Sequence, residues 1–342
     1  MTGKTPPFVR LQDLPAKAAR FCLELARFCR EELNLVLDGR SLVVAYSGGA
    51  DSRALLFALH FLSRRLRLRL HAAILNHGFR REAGREVAEA RALCAGLGIG
   101  FYTEAQDVPA FARAEGLGLE EAGRTVRQGF LERARRETQS DWIALGHQLN
   151  DLAEDSLMRL MRGAGWPALA GMAGVREERR TLRPLLLTPR SAVEAFLTEI
   201  GETWHNDRMN DDEAYFRNRV RRNLLPLCVR ENPSFLNGVA ERWRMARADE
   251  RFLKEQLGAL AAERREEGIF LPRAVLAGAS PALRLRKYMA ILASLGAGQV
   301  AAVHLRALDA AWRRNEGGKL AQFPGGKGAR IRDGGIVFFR RD

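Results

Sequence analysis

Ser41-Leu42-Val43-Val44-Ala45-Tyr46 runs without a charged residue into Ser47-Gly48-Gly49-Ala50-Asp51-Ser52. A short apolar run closed by glycines reads as a strand buried on both faces. Beyond it, Leu55, Leu56, Leu59 and Leu62 fall on one face at helical spacing. The string 47–52 therefore joins a strand to a helix. Glycine lets backbone approach an anion closely, and a helix N-terminus offers unpartnered N–H groups and a partial positive charge. Gly48, Gly49 and Ala50 would present backbone to a nucleotide's phosphates, and Ser47 and Ser52 add hydroxyls. The loop lacks the Gly-Lys-Ser/Thr ending of a Walker A motif. Asp51 would repel phosphate unless a cation lay between them, which points to Mg2+ bridging Asp51 and pyrophosphate oxygens. The competing reading is an ordinary strand-to-helix turn with a Ser/Asp cap.

Strand and helix go on alternating outward from this loop. His71–Asn76, Ile99–Thr103 and Trp142–Leu145 read as further strands; Glu82–Leu97, Glu120–Glu137 and Asp151–Arg162 read as helices. That spacing predicts an α/β fold, a doubly wound parallel sheet with helices on both faces. The clusters at 47–52, 76–80 and 146–154 all follow strands, so they converge on the crevice at the strands' carboxyl ends. Residues 1–222 are expected to form this domain, with a helical extension over 1–39. A second domain, 223–342, is expected to be mainly helical: 232–267, 281–295 and 299–314 read as helix. It ends in a small β element over 319–341, where Gly325-Gly326 and Gly334-Gly335 mark turns.

The 342 residues carry a formal net charge of +14, which favours a polyanionic partner. Residues 217–247 hold eight arginines against Glu231 and Glu241, a basic stripe and not a diffuse excess. No stretch reaches the ~18 apolar residues of a membrane span, and residues 1–20 show no apolar leader core. The expected compartment is the cytoplasm, with no membrane partner. Cys22, Cys29, Cys94 and Cys228 form no CxxC pair and read as reduced thiols.

The string Ser47-Gly48-Gly49-Ala50-Asp51-Ser52 resembles the SGGxDS signature of PP-loop ATP pyrophosphatases, which cleave ATP between the α- and β-phosphates and leave AMP on the substrate. Further clusters resemble one family within that class, tRNA(Ile)-lysidine synthase. Asn76-His77-Gly78-Phe79-Arg80 is similar to its HHGLR segment, and Glu121 to Arg127 to its E-x-x-A-R-x-x-R helix. Gly146 to Glu154 is similar to A-H-H-x-D-D-Q-x-E, and Arg159 to Gly165 to M-R-x-x-R-G-x-G. Arg183-Pro184-Leu185-Leu186, Trp204 to Asn210 and Phe216 to Arg221 follow in the family's order. The likeness covers about residues 40–230. Asn150, Leu152, Asp155 and Met209 depart from the usual Asp, Gln, Thr and Ser.

The resemblance implies a ligase that uses ATP and Mg2+ to join free L-lysine to C2 of the wobble cytidine of a tRNA(Ile), releasing AMP and pyrophosphate. It casts Asp51, His147, Arg124 and Arg127 as catalytic and Asp151 and Glu154 as the lysine-binding pair. Arg217, Arg219, Arg221 and Arg222 become tRNA contacts. A homodimer is admitted as the assembly. Read from the residues alone, Asp151 and Glu154 also suit a solvated acidic helix start, and His147 a structural histidine. Arg124 and Arg127 also suit a solubilising surface, and the four arginines a basic helix packed between domains. The nearest alternative chemistry is a PP-loop tRNA thiolase, followed by another adenylate-forming synthetase of that class.

Overall fold

The computed structural model describes residues 8–76, 83–205 and 215–341. The chain divides into two compact units, Met1–Arg244 and Met245–Asp342. In the first, α1 (Ala16–Glu31) precedes β1 (Ser41–Ala45), α2 (Ala50–Leu66), β2 (Arg69–Asn76), α3 (Ala83–Leu97) and β3 (Gly100–Ala105). Then come α4 (Val108–Glu115), α5 (Leu119–Glu137), β4 (Trp142–Ala144), α6 (Leu149–Met161), β5 (Val175–Arg176), β6 (Thr181–Leu182), α7 (Arg190–Glu199), α8 (Phe216–Arg219) and α9 (Leu225–Glu231). The sheet order is β3-β2-β1-β4-β6-β5, parallel throughout except for β5. Chain order reverses at β1, which has β2 on one side and β4 on the other. This switch point is where such sheets bind ligands.

Period-two alternation on β1 makes the sheet doubly wound. Leu42 and Val44 join a core with Leu55, Leu59 and Leu62 of α2, Cys22 and Cys29 of α1, and Phe196 and Leu197 of α7. Val43 and Ala45 face Phe130, Leu131 and Ala134 of α5 on the opposite side. Every residue of β1 is buried, as the unbroken apolar run predicts. The seven-residue spacing of Cys22 and Cys29 places both on the inner face of α1. Burial drives each thiol up to about 12 and Cys94 to about 11, so none forms a thiolate near neutrality.

Residues 223–244 pack into the first unit, beyond the expected division at 222. Trp243 explains why. Its indole is 1% exposed, its Nε1–H donates to the Met172 carbonyl at 2.9 Å, and it shares a core with Leu149, Leu152, Leu186 and Leu225. A buried tryptophan with a satisfied N–H contributes about 3–5 kcal/mol. The helix that carries it, α10 (Phe235–Ala259), is shorter than the helix expected over 232–267.

In the second unit, β7 (Glu263–Arg265) and β8 (Gly268–Pro272) precede the helices α11 (Arg273–Gly278), α12 (Pro281–Ser294) and α13 (Ala302–Arg313). The chain closes with β9 (Leu320–Phe323), β10 (Lys327–Arg332) and β11 (Gly335–Arg340). The sheet is antiparallel, in the order β7-β8-β11-β10-β9. The tail strands stand where the glycine pairs put them. The first hairpin does not follow from propensity, because Glu-Arg-Arg-Glu-Glu favours helix. Gly268, at φ +135°, turns the chain there; a Cβ on it would lie 2.2 Å from the Phe338 carbonyl oxygen, so pairing with β11 overrides local preference.

Candidate active site

The phosphate loop leaves the carboxyl end of β1 and enters α2. Gly48 takes φ +77°, a left-handed conformation that glycine adopts without strain. Gly49 caps α2 with no side-chain hydrogen bond, so the first-turn N–H groups are left for an anion. Ser52 is committed inside the loop. Its hydroxyl donates to the Gly49 carbonyl at 3.1 Å and accepts from the Ser47 N–H at 3.1 Å. It braces the turn. Ser47 remains exposed. His205 closes over the loop, its N–H donating to the Gly48 carbonyl at 3.2 Å.

Across the switch point, β4 delivers Gly146 and His147 and then α6. Gly146 has no room for a side chain: a Cβ would stand 3.0 Å from both the Asp51 carbonyl carbon and the Ser52 nitrogen. Gly146→Ala should push the two loops apart by a few tenths of an ångström, raising the KM for ATP about tenfold and costing ~1–3 kcal/mol of stability. ATP-dependence kinetics and a denaturant titration check both.

Asp51 faces this junction. One carboxylate oxygen, Oδ1, is buried with no hydrogen-bond partner. Burial, reinforced by the nearby charge of Asp151, raises its pKa to about 7. An orphaned buried carboxylate oxygen beside a phosphate loop fits Mg2+, which characteristically takes one or two carboxylates together with substrate phosphates and water.

At the start of α6, Gln148 is the N-cap. Its side-chain oxygen accepts from the Asn150 N–H at 2.6 Å, and Asp151 Oδ2 accepts from the Gln148 N–H at 3.0 Å. This reciprocal cap fixes Asp151. Glu154, one turn on, is 1% exposed and Asp151 6%, so neither belongs to a solvated acidic face. Both carboxylates hold Arg217 and Arg221. Arg217 Nη2 donates to Asp151 Oδ1 at 2.8 Å and its Nε to Glu154 Oε2 at 2.9 Å. Arg221 Nε donates to Glu154 Oε1 at 2.6 Å and its Nη2 to Asp151 Oδ1 at 3.0 Å. A π-helical turn over Val220–Leu224 follows α8, and the i, i+4 spacing sets both guanidiniums on the face toward α6. These two arginines, expected to grip RNA, are engaged by the acidic pair. Arg219 and Arg222 lie on the exposed side.

Beside Glu154 opens a recess of about 290 Å³ lined by Gln148, Asn150, Arg190, Arg221, Leu225 and Val229. Its volume lies at the small end of the ~300–1,000 Å³ range of small-molecule sites. On α5, Arg127 lies within electrostatic reach of Asp151 and Arg217, and Arg124 within reach of Arg183. Both keep solvent access. His147 is held down to about 3, first by burial and then by Arg183, Arg127 and Arg217, with Asp151 opposing.

The structure therefore brings Asp51, His147, Asp151, Glu154, Arg127 and Arg217 into one crevice. It adds Gln148, Arg183 and Arg190, to which the sequence had given no role. Arg190 sits opposite Asp51 and Asp151 and binds Asn150 through its backbone N–H at 3.2 Å. Within the 76–80 and 204–210 clusters, residues 77–80 and 206–210 lie outside the described residues.

A PP-loop domain family matches residues 19–228. A tRNA(Ile)-lysidine synthase from Nitratidesulfovibrio vulgaris is 42% identical over 315 residues, which are 86% of this chain and 91% of that one. The chain belongs to the tRNA(Ile)-lysidine synthase family. The enzyme of that name from Geobacillus kaustophilus is 35% identical over 65% of this chain and 48% of its own length, and the one from Geobacter sulfurreducens 37% identical over 68% and 49%. Against these two family members, the matched region spans about half of the relative. Among solved structures, a U34-tRNA thiolase from Methanococcus maripaludis superposes with a TM-score of 0.55 at 19% identity, covering 69% of this chain and 80% of that chain, a likeness of fold alone. No described helix is long and apolar enough to cross a membrane.

Proposed function

We propose that this chain makes lysidine: it activates the C2 oxygen of the wobble cytidine of a tRNA(Ile) as an adenylate and replaces it with the ε-amine of free lysine. The observation that carries the reading is a buried pair of carboxylates, Asp151 and Glu154, one helix turn apart on α6, with Asp151 in electrostatic reach of Asp51 at the phosphate loop. The loop and the uncapped start of α2 bind the phosphates of ATP. Attack of the C2 oxygen on the α-phosphorus expels pyrophosphate and turns a poor leaving group into AMP. Arg127 and Arg124 would neutralise charge that develops on the α-phosphate. Mg2+, held by Asp51, would offset the negative charge of the leaving pyrophosphate.

Lysine reaches the enzyme as an ammonium, with a side-chain pKa near 10.4, and must lose a proton before it attacks C2. The acidic pair seats the ammonium and takes that proton. Arg217 and Arg221 already neutralise the pair, so lysine displaces at least one guanidinium. The displaced arginine can then turn to an RNA phosphate. A thiolase reading would need a reactive thiol. Cys22, Cys29 and Cys94 are buried and protonated, which leaves Cys228, half-buried, without a second accessible cysteine to pair with.

The test is conversion of ATP to AMP in the presence of bulk tRNA, with lysine supplied or withheld. The reading expects sustained turnover only with both; turnover indifferent to tRNA contradicts it. On the RNA side, Arg222→Ala should weaken tRNA binding without regard to sequence and reduce the slope of log K against log salt by about 0.7–0.9. A salt titration of binding measures this, and an unchanged slope removes Arg222 from the RNA contacts.

A further inference from the structure

We propose that Arg183 is a positioning residue that locks His147 in the neutral tautomer with its proton on Nε2, so that His147 is a fixed hydrogen-bond donor and not the base that receives lysine's proton. Arg183 follows β6 and is itself tied down. Its backbone N–H donates to the Gly174 carbonyl at 2.8 Å and its Nη1 to the Ala173 carbonyl at 2.7 Å. Only 9% of the residue is exposed. From that mooring its Nε–H donates to His147 Nδ1 at 3.2 Å.

A guanidinium only donates, so Nδ1 must present its lone pair. A neutral imidazole carries one N–H, which is then on Nε2. A second proton would set N–H against N–H and cation against cation. The charged groups around the ring arrive from four elements: Arg183 after β6, Arg127 on α5, Arg217 on α8 and Asp151 on α6. Three are cations that disfavour imidazolium, and burial acts in the same direction. Nε2 has no lone pair to offer and Nδ1 has its lone pair occupied, so the ring has no free basic site. Lysine's proton therefore goes to the acidic pair, and the Nε2–H is left to donate to an anionic oxygen. That this oxygen belongs to the α-phosphate rests on the proposed function; the tautomer does not.

The tautomer can be read without catalysis. The full chain labelled with 15N-histidine gives two-bond proton–nitrogen correlations, and His147→Gln identifies the ring among the six histidines. The expected pattern is an unprotonated Nδ1 and a protonated Nε2 that stay constant from about pH 5.5 to about pH 8.5. In Arg183→Met the ring should populate both tautomers, while burial, Arg127 and Arg217 still keep it from taking a second proton within that window. The kcat for tRNA modification should fall about tenfold, with the KM for ATP nearly unchanged. Arg183→Lys, which keeps a donor, should restore the Nε2–H form. A wild-type His147 that titrates in this range, or carries its proton on Nδ1, overturns the proposal, as does an Arg183→Met spectrum identical to wild type. If Arg183→Met does not fold, the wild-type spectrum alone decides.

Discussion

Asp51→Asn should abolish release of AMP and pyrophosphate while making the metal-free protein more stable above neutral pH. The loss of turnover is expected to be about 100–1,000-fold or more, since the variant removes the carboxylate that would hold Mg2+ against the pyrophosphate. The stability gain follows from the raised pKa. Unfolded, an aspartate titrates near 3.9; folded, Asp51 titrates at about 7. The native state therefore binds the proton more tightly than the unfolded one. The contribution of Asp51 to stability is greatest below pH ~4, falls as pH rises through ~7, and levels off beyond it. A shift of roughly three units has an upper bound near 4 kcal/mol, and relaxation around the site leaves an expected ~1–3 kcal/mol. Asparagine is neutral at every pH and escapes this loss. Denaturant midpoints without Mg2+ or nucleotide should show the variant's advantage growing from pH 5 to pH 8. An equal pH dependence in both proteins would mean that Asp51 is not the buried carboxyl described here.

Glu154→Gln should raise the lysine KM by about 10–100-fold while leaving the first half-reaction, pyrophosphate release, within a few-fold of wild type. The basis is the value of a hydrogen bond to a charged partner, roughly 1.5–3 kcal/mol. Glu154 is the better member of the pair to change, because Asp151 also caps α6 through the Gln148 N–H and its loss would disturb the helix start. The variant keeps Asp151 as the partner of Arg217 and Arg221. It should still lose ~1–3 kcal/mol of stability, because two guanidiniums then share one carboxylate. Lysine-dependence curves that superimpose for variant and wild type would take the acidic pair out of lysine recognition.

The parallel sheet and its crevice were legible in the sequence because both are written locally. An apolar run, a glycine loop and a helical stripe follow one another without a break at 41–62, and the same rhythm recurs through β4 and α6. Asp51, His147, Asp151 and Glu154 each follow a strand, so their convergence needs only the rule that such sheets bind ligands at the strands' carboxyl ends. The contents of the basic stripe were less legible. Phe216 to Arg222 presents four arginines with nothing local to distinguish them. The i, i+4 relation of Arg217 and Arg221 separates the two that face α6, but what they meet there is 63 and 67 residues away in the chain. Arg217 and Arg221 meet Asp151 and Glu154 within the first unit, while Arg219 and Arg222 are exposed.

Three of the four departures from the family pattern have local physical reasons; Met209 lies outside the described residues. Leu152, in place of the usual glutamine, is wholly buried in the core with Met172, Leu186 and Trp243. Asp155, in place of threonine, accepts from Arg159 Nε at 2.8 Å and secures the last turns of α6. Asn150 receives the backbone N–H of Arg190, joining the start of α6 to that of α7. Arg183 escaped notice because its partner, the ring nitrogen of His147, is thirty-six residues distant and no spacing rule links them. The hairpin at 263–272 was hidden for the opposite reason: its local preference is strong and points to helix.

Mass spectrometry of tRNA treated with the protein, ATP and isotope-labelled lysine tests the whole arrangement at once. The account predicts a single cytidine, at the anticodon's first position, that gains one lysine with loss of water and carries the label only when ATP is present. Unlabelled tRNA recovered alongside freshly formed AMP and pyrophosphate would contradict it.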